Sequence, residues 1–498
     1  MKLRLCLALL VAVAGCAAPA ATPGATESTP TAAGPTPDAT GTPPESDAEP
    51  QADRHHPESD AEPQADRHHP ESDAEPRADR QDPPTDELGW EAGYWYDDPV
   101  DVDQSDGLNE SERSAFVART MARVERVRGL EFERSVPVEL RSRDDYRDDA
   151  ETPPASAWNE QVWEALFLVG EDRSVAETFA ALYGGSTLGY YSPQSDRVVV
   201  VSDTETPTID RQTLSHELVH ALQDQHFGFP RATTRDGSLA ADAVVEGDAT
   251  YVEQLYETRC RDGWSCVPRP ADDAPGGVGN MDVYVAVYQP YSDGASFVHA
   301  LRRRGGWTAV NDAYARPPNG TTEVIHPETY PDATPANVSV VDRSNAAWSP
   351  FDRRPQADSV GEASLYAMLR ATGRIDGSHL YSPTGPHRRL NYTHPLTTGW
   401  AGDVVVPYRS DDGHGYVFRS EWETERDARE FAGAYRAILG ERFDAVRRSD
   451  ADARGTDVYV VQAGPYADAF RVSRDGTTVT VVNAPTVDAL DGVHRREG

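Results

Sequence analysis

Two spacings of apolar residues alternate along the chain, and they predict helices and strands in a mixed order. Spacings of three to four residues, typical of helices, cover residues 110–128, 160–168, 174–183, 214–223, 238–258, 307–315, 362–371 and 425–439. β-branched or alternating runs, typical of strands, cover residues 136–140, 188–191, 197–202, 403–408, 415–418, 458–462, 469–473 and 478–482. The pair Gly184-Gly185 is expected to end the third helix. The order predicts an α+β fold with a separate small α+β unit after residue 400.

The helix after the β-branched run Val198–Val201 carries the sequence His-Glu-Leu-Val-His at 216–220. Positions i and i+4 share one face of a helix, so His216 and His220 can bind one metal ion with Glu217 beside it as a base. Asp210 is placed to cap the start of the helix. The alternative is a buried helix whose histidines are only hydrogen-bonded.

A third metal ligand is predicted downstream, because catalytic zinc usually takes three protein ligands and one water. Glu246 lies 26 residues after His220, among Ala243, Val244, Val245 and Ala249. A lone carboxylate in such an apolar helix is costly unless it is paired or metal-bound. Gly247 beside it indicates close packing. The alternative is a solvated glutamate near Glu253 and Glu257.

The motif His216–His220 with a helical Glu246 resembles the gluzincin metallopeptidases. The segments 216–227, 245–249, 305–307 and 323–328 resemble uncharacterised HExxH surface lipoproteins of haloarchaea and bacteria, over about residues 190–410. The resemblance implies a Zn²⁺ cofactor and a zincin-like catalytic domain at 87–399, with a small mixed sheet whose edge strand binds an extended peptide. The C-terminal α+β subdomain would be 400–498. Phe229 and Pro230 occupy the region where a metzincin would place its third histidine, which excludes that group.

The same resemblance implies a peptidase mechanism in which Glu217 takes a proton from a zinc-activated water and passes it to the leaving amine. A tyrosine or histidine would stabilise the oxyanion, and the candidates are Tyr288, Tyr291, His299 and His326. His326 is preferred because it lies outside any apolar run, although a capping or solvated histidine fits it equally well. His226 is expected to be structural or supporting, and Asp224 to orient a ligand histidine.

The N-terminus has the pattern of an export signal. Lys2 and Arg4 precede a short apolar run, and Val13-Ala14-Gly15-Cys16 resembles the lipobox of prokaryotic lipoproteins. Residues 1–15 would then be the signal peptide and Cys16 the lipidated residue. Residues 16–86 are polar and Pro-rich, with a 13-residue repeat that begins at Glu45, so they form a predicted disordered linker. The ordinary alternative is a secretory signal with an incidental cysteine.

The charge and the cysteines of the chain indicate the kind of environment in which the protein works. The chain has 83 acidic and 47 basic residues, a net charge of −36, and Lys2 is its only lysine. This composition resembles that of a halophilic archaeon, and it disfavours nucleic acid as a partner because phosphates would be repelled. Cys260 and Cys266 are close enough in sequence to form a disulfide in an oxidising exterior.

Together these patterns predict a zinc metallopeptidase on the extracellular face of the membrane, held by its N-terminal lipid and acting on a peptide or protein. One alternative is a catalytically inactive zincin-fold lipoprotein with a binding or structural role. Another is a solute-binding lipoprotein, which would need two βαβ lobes that the pattern lacks. The oligomeric state is not readable from the sequence.

Overall fold

The helices and strands of the chain are known from a computed structural model that describes residues 82–149, 155–202, 208–270, 279–448 and 456–496. The signal segment, Cys16 and the linker up to residue 81 lie outside the described residues. No helix of the described part is long and apolar enough to cross a membrane. The mixture of helices and sheets confirms the predicted α+β class.

Eleven α-helices are present in the described ranges: α1 (Glu110–Arg128), α2 (Arg143–Asp149), α3 (Ala157–Ala165), α4 (Val175–Ser186), α5 (Arg211–His226), α6 (Arg235–Asp262), α7 (Met281–Ala315), α8 (Thr321–Ile325), α9 (Gly361–Ala371), α10 (Glu425–Ala437) and α11 (Val487–Val493). The strands of the same ranges are β1 (Trp90–Glu91), β2 (Tyr94–Trp95), β3 (Val138–Ser142), β4 (Gly189–Ser192), β5 (Arg197–Ser202), β6 (Ser349–Pro350), β7 (Trp400–Ser410), β8 (Gly413–Trp422), β9 (Val446–Arg448), β10 (Thr456–Val460), β11 (Ala469–Asp475) and β12 (Thr478–Ala484).

A small sheet of order β3-β5-β4 lies beside α5. β3 runs parallel to β5 and β4 antiparallel to it, which confirms the predicted hairpin of residues 188–191 and 197–202. Val198–Val201 in the central strand are all buried, so both faces of the strand are covered. β4 is left at one edge of this sheet as the structure describes it.

Two of the predicted helix boundaries change in the structure. α4 continues through Gly184 to Ser186 and does not end at the Gly-Gly pair, because tertiary contacts outweigh the low helix propensity of glycine. The helix predicted at 307–315 is the last part of α7, which begins at Met281. Gly305 and Gly306 have non-helical backbone angles, so α7 consists of two helices joined at a kink.

The most extensive helix contact is between α6 and α7, and two glycines make it possible. A Cβ atom on Gly247 would lie 2.4 Å from the backbone of Gly294, and one on Gly294 would lie 2.6 Å from the carbonyl oxygen of Ala243. The predicted close packing at Gly247 is therefore confirmed. This crossing holds the residue before Gly247, which is Glu246, against α7.

The C-terminal half forms a seven-stranded sheet of order β6-β7-β8-β12-β11-β10-β9, in which all neighbours are antiparallel. Tyr416 and Phe418 of β8 pack into the core beneath α10, whereas Val417 faces a second cluster with Leu490 of α11. All the strands predicted after residue 400 are present. The sheet begins earlier than residue 400, because β6 pairs with β7.

One apolar core continues across residue 400. It joins Trp163 of α3, Tyr288 of α7 and Tyr366 of α9 to Phe418 and Phe431 of the C-terminal sheet and α10. Burial of such side chains contributes about 1.5–3 kcal/mol each. The C-terminal sheet therefore packs directly on helices from the first half of the chain.

The predicted disulfide is present. Cys260, near the end of α6, is bonded to Cys266, six residues later. Between them, the indole of Trp264 is 7% exposed and packs against Tyr256, with the Arg123 guanidinium 4.7 Å from the ring centre. The bridge thus holds this segment to the end of α6, and Arg123 joins the segment to α1.

We expect Gly247→Ala to lower the free energy of unfolding by about 1–3 kcal/mol, because its methyl group has no space against α7. Gly433→Ala is the matched control: this helical glycine of α10 is exposed and has nothing within 4 Å of its added Cβ. The control should gain up to about 1 kcal/mol from helix propensity. Chemical denaturation of both variants measures the difference, and equal stabilities would contradict the close approach.

Candidate metal centre

The helix that carries the two histidines is fixed at its start and along its length. Asp210 caps it by accepting a hydrogen bond of 2.6 Å from the backbone N–H of Gln212, as predicted. From Thr213 to Gln223 every residue of α5 is buried. Gly189 of β4 lies against this helix, where an added Cβ would be 3.4 Å from Cγ of Glu217. The small sheet thus borders the catalytic face predicted for α5.

The three predicted ligands converge. Nε2 of His216 lies 3.3 Å from Oε2 of Glu246, and Nε2 of His220 lies 3.5 Å from the same oxygen. One ligand atom from each residue lies within 4.8 Å of the others. All three side chains are buried. The helical spacing in α5 and the α6–α7 crossing together place the two imidazoles and the carboxylate around one point.

The outer nitrogen of each imidazole is also held. Nδ1 of His216 lies 3.3 Å from Oε2 of Glu253, about two helical turns beyond Glu246 on α6. Nδ1 of His220 lies 2.8 Å from Oε1 of Gln223, whose amide in turn donates to the carbonyl of Val245. Such partners leave Nε2 free for a metal and fix the orientation of the ring.

The expectation that Asp224 orients a ligand histidine is wrong. Asp224 instead accepts a hydrogen bond of 2.9 Å from the hydroxyl of Tyr191. The group that holds His220 is Gln223, three residues along the same helix, whose side-chain oxygen lies at Nδ1 of the imidazole. His226 contacts the carbonyl of Glu131 at 2.7 Å and has a structural role, as expected.

Glu217 lies beside this group without a firm partner. Neither carboxylate oxygen forms a hydrogen bond of normal geometry, although both are fully buried and the Tyr191 backbone is near. Burial raises the pKa of Glu217 to about 7, against the opposing effect of His220 and His216. A carboxyl group whose pKa lies near neutrality is suited to accept and return a proton.

The pKa values of His216 and Glu246 depend on each other. Burial alone would lower the pKa of His216, but hydrogen bonds to Glu246 and Glu253 outweigh it and raise the pKa to about 10. Burial alone would raise the pKa of Glu246, yet His220 and His216 hold it below its usual range. Without a metal, a proton on His216 therefore balances the carboxylate.

This donor set fits a divalent transition metal. Nε2 of His220 is buried and makes no hydrogen bond, and Oε2 of Glu246, 3.5 Å away, is placed to share a metal ion with it. Two imidazoles and one carboxylate are the ligands of several catalytic zinc sites. The same ligands also suit other first-row metals, so the donor set alone does not select zinc.

The four candidates for an oxyanion-stabilising group differ in whether they contact the predicted metal ligands. The hydroxyl of Tyr291 donates to Oε1 of Glu246 at 3.1 Å, and Tyr288 stacks on Tyr291 with ring centres 5.4 Å apart. His299 contacts the hydroxyl of Tyr251 at 3.3 Å.

His326, the candidate preferred from the sequence, has other partners. Its Nε2 lies 3.3 Å from Glu362 and its Nδ1 3.9 Å from Glu328. No contact in the described part of the chain joins it to the three ligands. Sequence position could not separate the candidates, because the position of Tyr291 depends on the crossing of α7 over α6.

A cavity of about 270 Å³ reaches the centre from one side. Glu246 and Tyr291 form part of its wall, and Trp163, Phe179 and Tyr183 form an aromatic part. Three more charged residues line it: Arg235, Asp242 and Asp358. Burial raises the pKa of Asp242 to about 7, helped by the nearby charge of Glu246. No pattern in the sequence indicates this pocket, because most of its walls come from four separate helices, α3, α4, α6 and α7.

Comparison with known proteins adds little about the chemistry of this centre. Residues 349–494 match a family model described as a domain of unknown function (DUF8575). This segment covers β6 to α11, and His216, Glu217, His220 and Glu246 lie outside it. No curated protein and no solved structure matches the chain. The function must therefore be argued from the geometry of the centre itself.

The contact between Gln223 and His220 can be tested by substitution. We expect Gln223→Ala to weaken zinc binding by about 10–100-fold, because the imidazole loses the partner that orients it. Gln225→Ala is the matched control, since Gln225 lies on the same helix and also bonds to backbone groups, those of Glu133 and Arg134. Competition with a chromogenic chelator measures the two affinities. Equal affinities in both variants would show that Gln223 does not support the ligand.

Proposed function

We propose that the protein is a zinc-dependent metallopeptidase of the gluzincin type, with a zincin-like catalytic domain. The observation that carries this proposal is the convergence of His216, His220 and Glu246 beside Glu217, a buried carboxyl without a firm hydrogen bond. A purely structural metal site needs no such group. The proposal therefore rests on the base as much as on the ligands.

The residues of the chain would divide the reaction between them. His216, His220 and Glu246 would hold the zinc ion, which supplies the Lewis acidity that polarises a peptide carbonyl and makes a water molecule more acidic. Glu217 would accept the proton of that water and return it to the leaving amine. General acid–base catalysis of this kind contributes about 10²–10⁴-fold to the rate. Tyr291 replaces His326 as the candidate for stabilising the oxyanion, because its hydroxyl already lies at Glu246.

The position of β4 supports an extended peptide as the substrate. β4 is an edge strand of the small sheet as described, and Gly189 brings it against Glu217. Backbone groups on the open edge of a strand can pair with an extended peptide. A peptide paired with β4 would pass along the side of α5 that carries Glu217.

The location at the cell surface remains a proposal from the sequence. The lipobox-like segment ending at Cys16 would attach the chain to the extracellular face of the membrane, and the linker would separate the catalytic part from it. The net charge of −36 continues to disfavour nucleic acid as a partner.

A catalytically inactive surface protein is the second candidate, and one observation favours it. The side chains of the motif are almost fully buried: at most 1% of the surface of His216, Glu217 or His220 is exposed to solvent. A metal buried this deeply can serve stability alone. Three ligands nevertheless leave one zinc position open, which structural sites usually fill with protein.

The role of Glu217 is tested by Glu217→Gln. The substitution keeps the size of the side chain and removes the proton acceptor, so we expect hydrolysis of an unfolded protein substrate to fall by about 10²–10⁴-fold. Zinc content, measured by atomic emission on the same samples, should be unchanged. Full activity in the variant would exclude Glu217 as the base. A zinc-loaded wild type without any hydrolysis would favour the inactive candidate.

The role of Glu246 as ligand is tested by zinc content. We expect Glu246→Gln to lose most of its zinc after dialysis against a weak chelator, because the anionic ligand is replaced by a neutral amide. Asp242→Asn is the matched control, since Asp242 lies one turn earlier on α6 and lines the same cavity. It should retain one zinc per chain. A normal zinc content in Glu246→Gln would remove Glu246 from the ligand set.

A further inference from the structure

A second group of acids lies away from the first centre, where α3 meets the C-terminal sheet. Glu164 of α3, Glu171 in the turn after α3 and Asp468 before β11 each place one carboxylate oxygen within 4.8 Å of the others. Glu164 is 2% and Asp468 5% exposed, whereas Glu171 is at the surface. Two oxygens bound to one ion at about 2.4 Å can be at most about 4.8 Å apart, so the spacing suits a single Ca²⁺-sized cation.

In the part of the chain that the structure describes, no arginine or histidine forms an ion pair with Glu164, Glu171 or Asp468. Burial and the charge of Asp468 raise the pKa of Glu164 well above its usual range, and burial raises that of Asp468 to about 6. Two buried carboxyl groups that face each other are costly unless a proton or a cation lies between them.

Buried oxygen atoms without donors occur on Glu164 and on the amides that bond to these acids. Oε1 of Glu164 is buried and receives no hydrogen bond from any donor group. Gln161 donates its amide to the other oxygen of Glu164, and its own Oε1 is left buried without a donor. Asn483 likewise donates to Asp468 at 2.8 Å, and its Oδ1 has no donor. Buried oxygens without donors are rare in folded proteins, and together they indicate a missing positive group.

The backbone around the acids is closely packed, so their positions are not those of free surface chains. The N–H of Glu171 donates to the carbonyl of Pro465 at 2.9 Å. A Cβ on Gly170 would lie 2.5 Å from Cβ of Pro465. The turn after α3 and the turn before β11 are thus in direct contact. Glu164 and Glu171 come from one side of this contact, and Asp468 comes from the segment matched by the family model.

We propose that Glu164, Glu171 and Asp468 bind a hard divalent cation of the Ca²⁺ class, which joins α3 to the C-terminal sheet. All of its ligands are oxygens. Ca²⁺ prefers oxygen ligands, whereas zinc also takes nitrogen and sulfur ligands. The buried amides of Gln161 and Asn483 lie beside the site and hold the carboxylates in place. The proposal does not depend on peptidase activity, because none of these residues belongs to the first centre.

The test is calcium binding by the zinc-loaded full chain in high KCl, which screens the general acidity and leaves the histidine site occupied. Adding Ca²⁺ to wild type should raise the midpoint of thermal unfolding by several degrees, since a ligand that binds only the folded state stabilises it. Glu171→Gln and Asp468→Asn should weaken calcium binding at least about 10-fold by isothermal titration. Asp172→Asn, an exposed neighbour of Glu171, should bind as wild type does.

A third variant separates a cation site from a pair of acids that share one proton. In the absence of Ca²⁺, Glu164→Gln should be at least as stable as wild type, because it removes a buried ionisable group, and it should no longer respond to Ca²⁺. Glu171→Gln is at the surface and should fold in any case. A wild type that does not respond to Ca²⁺ would overturn the proposal, and so would a Glu171→Gln variant that responds as strongly as Asp172→Asn.

Discussion

The rest of the structure depends on the close approach of α6 and α7. Gly247 and Gly294 meet with no room for a side chain, and this contact fixes Glu246 in the interior next to α5. A buried carboxylate is tolerated only with partners, and here they are His216 and His220. The same crossing brings the hydroxyl of Tyr291 to the other oxygen of Glu246. Packing between two helices thus decides which groups can share one metal ion.

The sequence predicted what depends on local pattern. His216 and His220 share a face because of helical spacing alone, and Glu246 stands out as an acid in an apolar helix. What failed depended on contacts between distant segments. Most of α7 was not predicted, because Pro290 and the kink glycines interrupt its pattern while contacts with α6 and α9 keep it helical. Asp224 was expected to orient a ligand histidine, but the residue before it, Gln223, holds His220, because spacing does not give the direction of a side chain.

The acidity of the chain has a structural counterpart in its interior. Several buried or half-buried acids are neutralised by arginines: Arg128 with Asp248, Arg211 with Glu257, Arg388 with Asp293 and Arg389 with Glu253. The pair with Glu253 extends to the first centre, because Glu253 also holds His216. Guanidinium groups suit this role, since they remain charged when buried and bind carboxylates with two donors. Other buried acids, such as Asp236 and Asp403, are held by neutral donors instead.

The two acid-containing centres differ in the groups that balance their negative charge. Around Glu246 the compensating groups are imidazoles, which can hold a proton or give up their nitrogen lone pairs to a metal. Around Glu164 and Asp468 neither an imidazole nor a guanidinium pairs with the acids among the described residues, and the nearest amides leave oxygens without donors. Nitrogen ligands favour zinc, and an all-oxygen set favours a harder cation. The same requirement, that a buried carboxylate needs a positive partner, therefore indicates different ions at the two places.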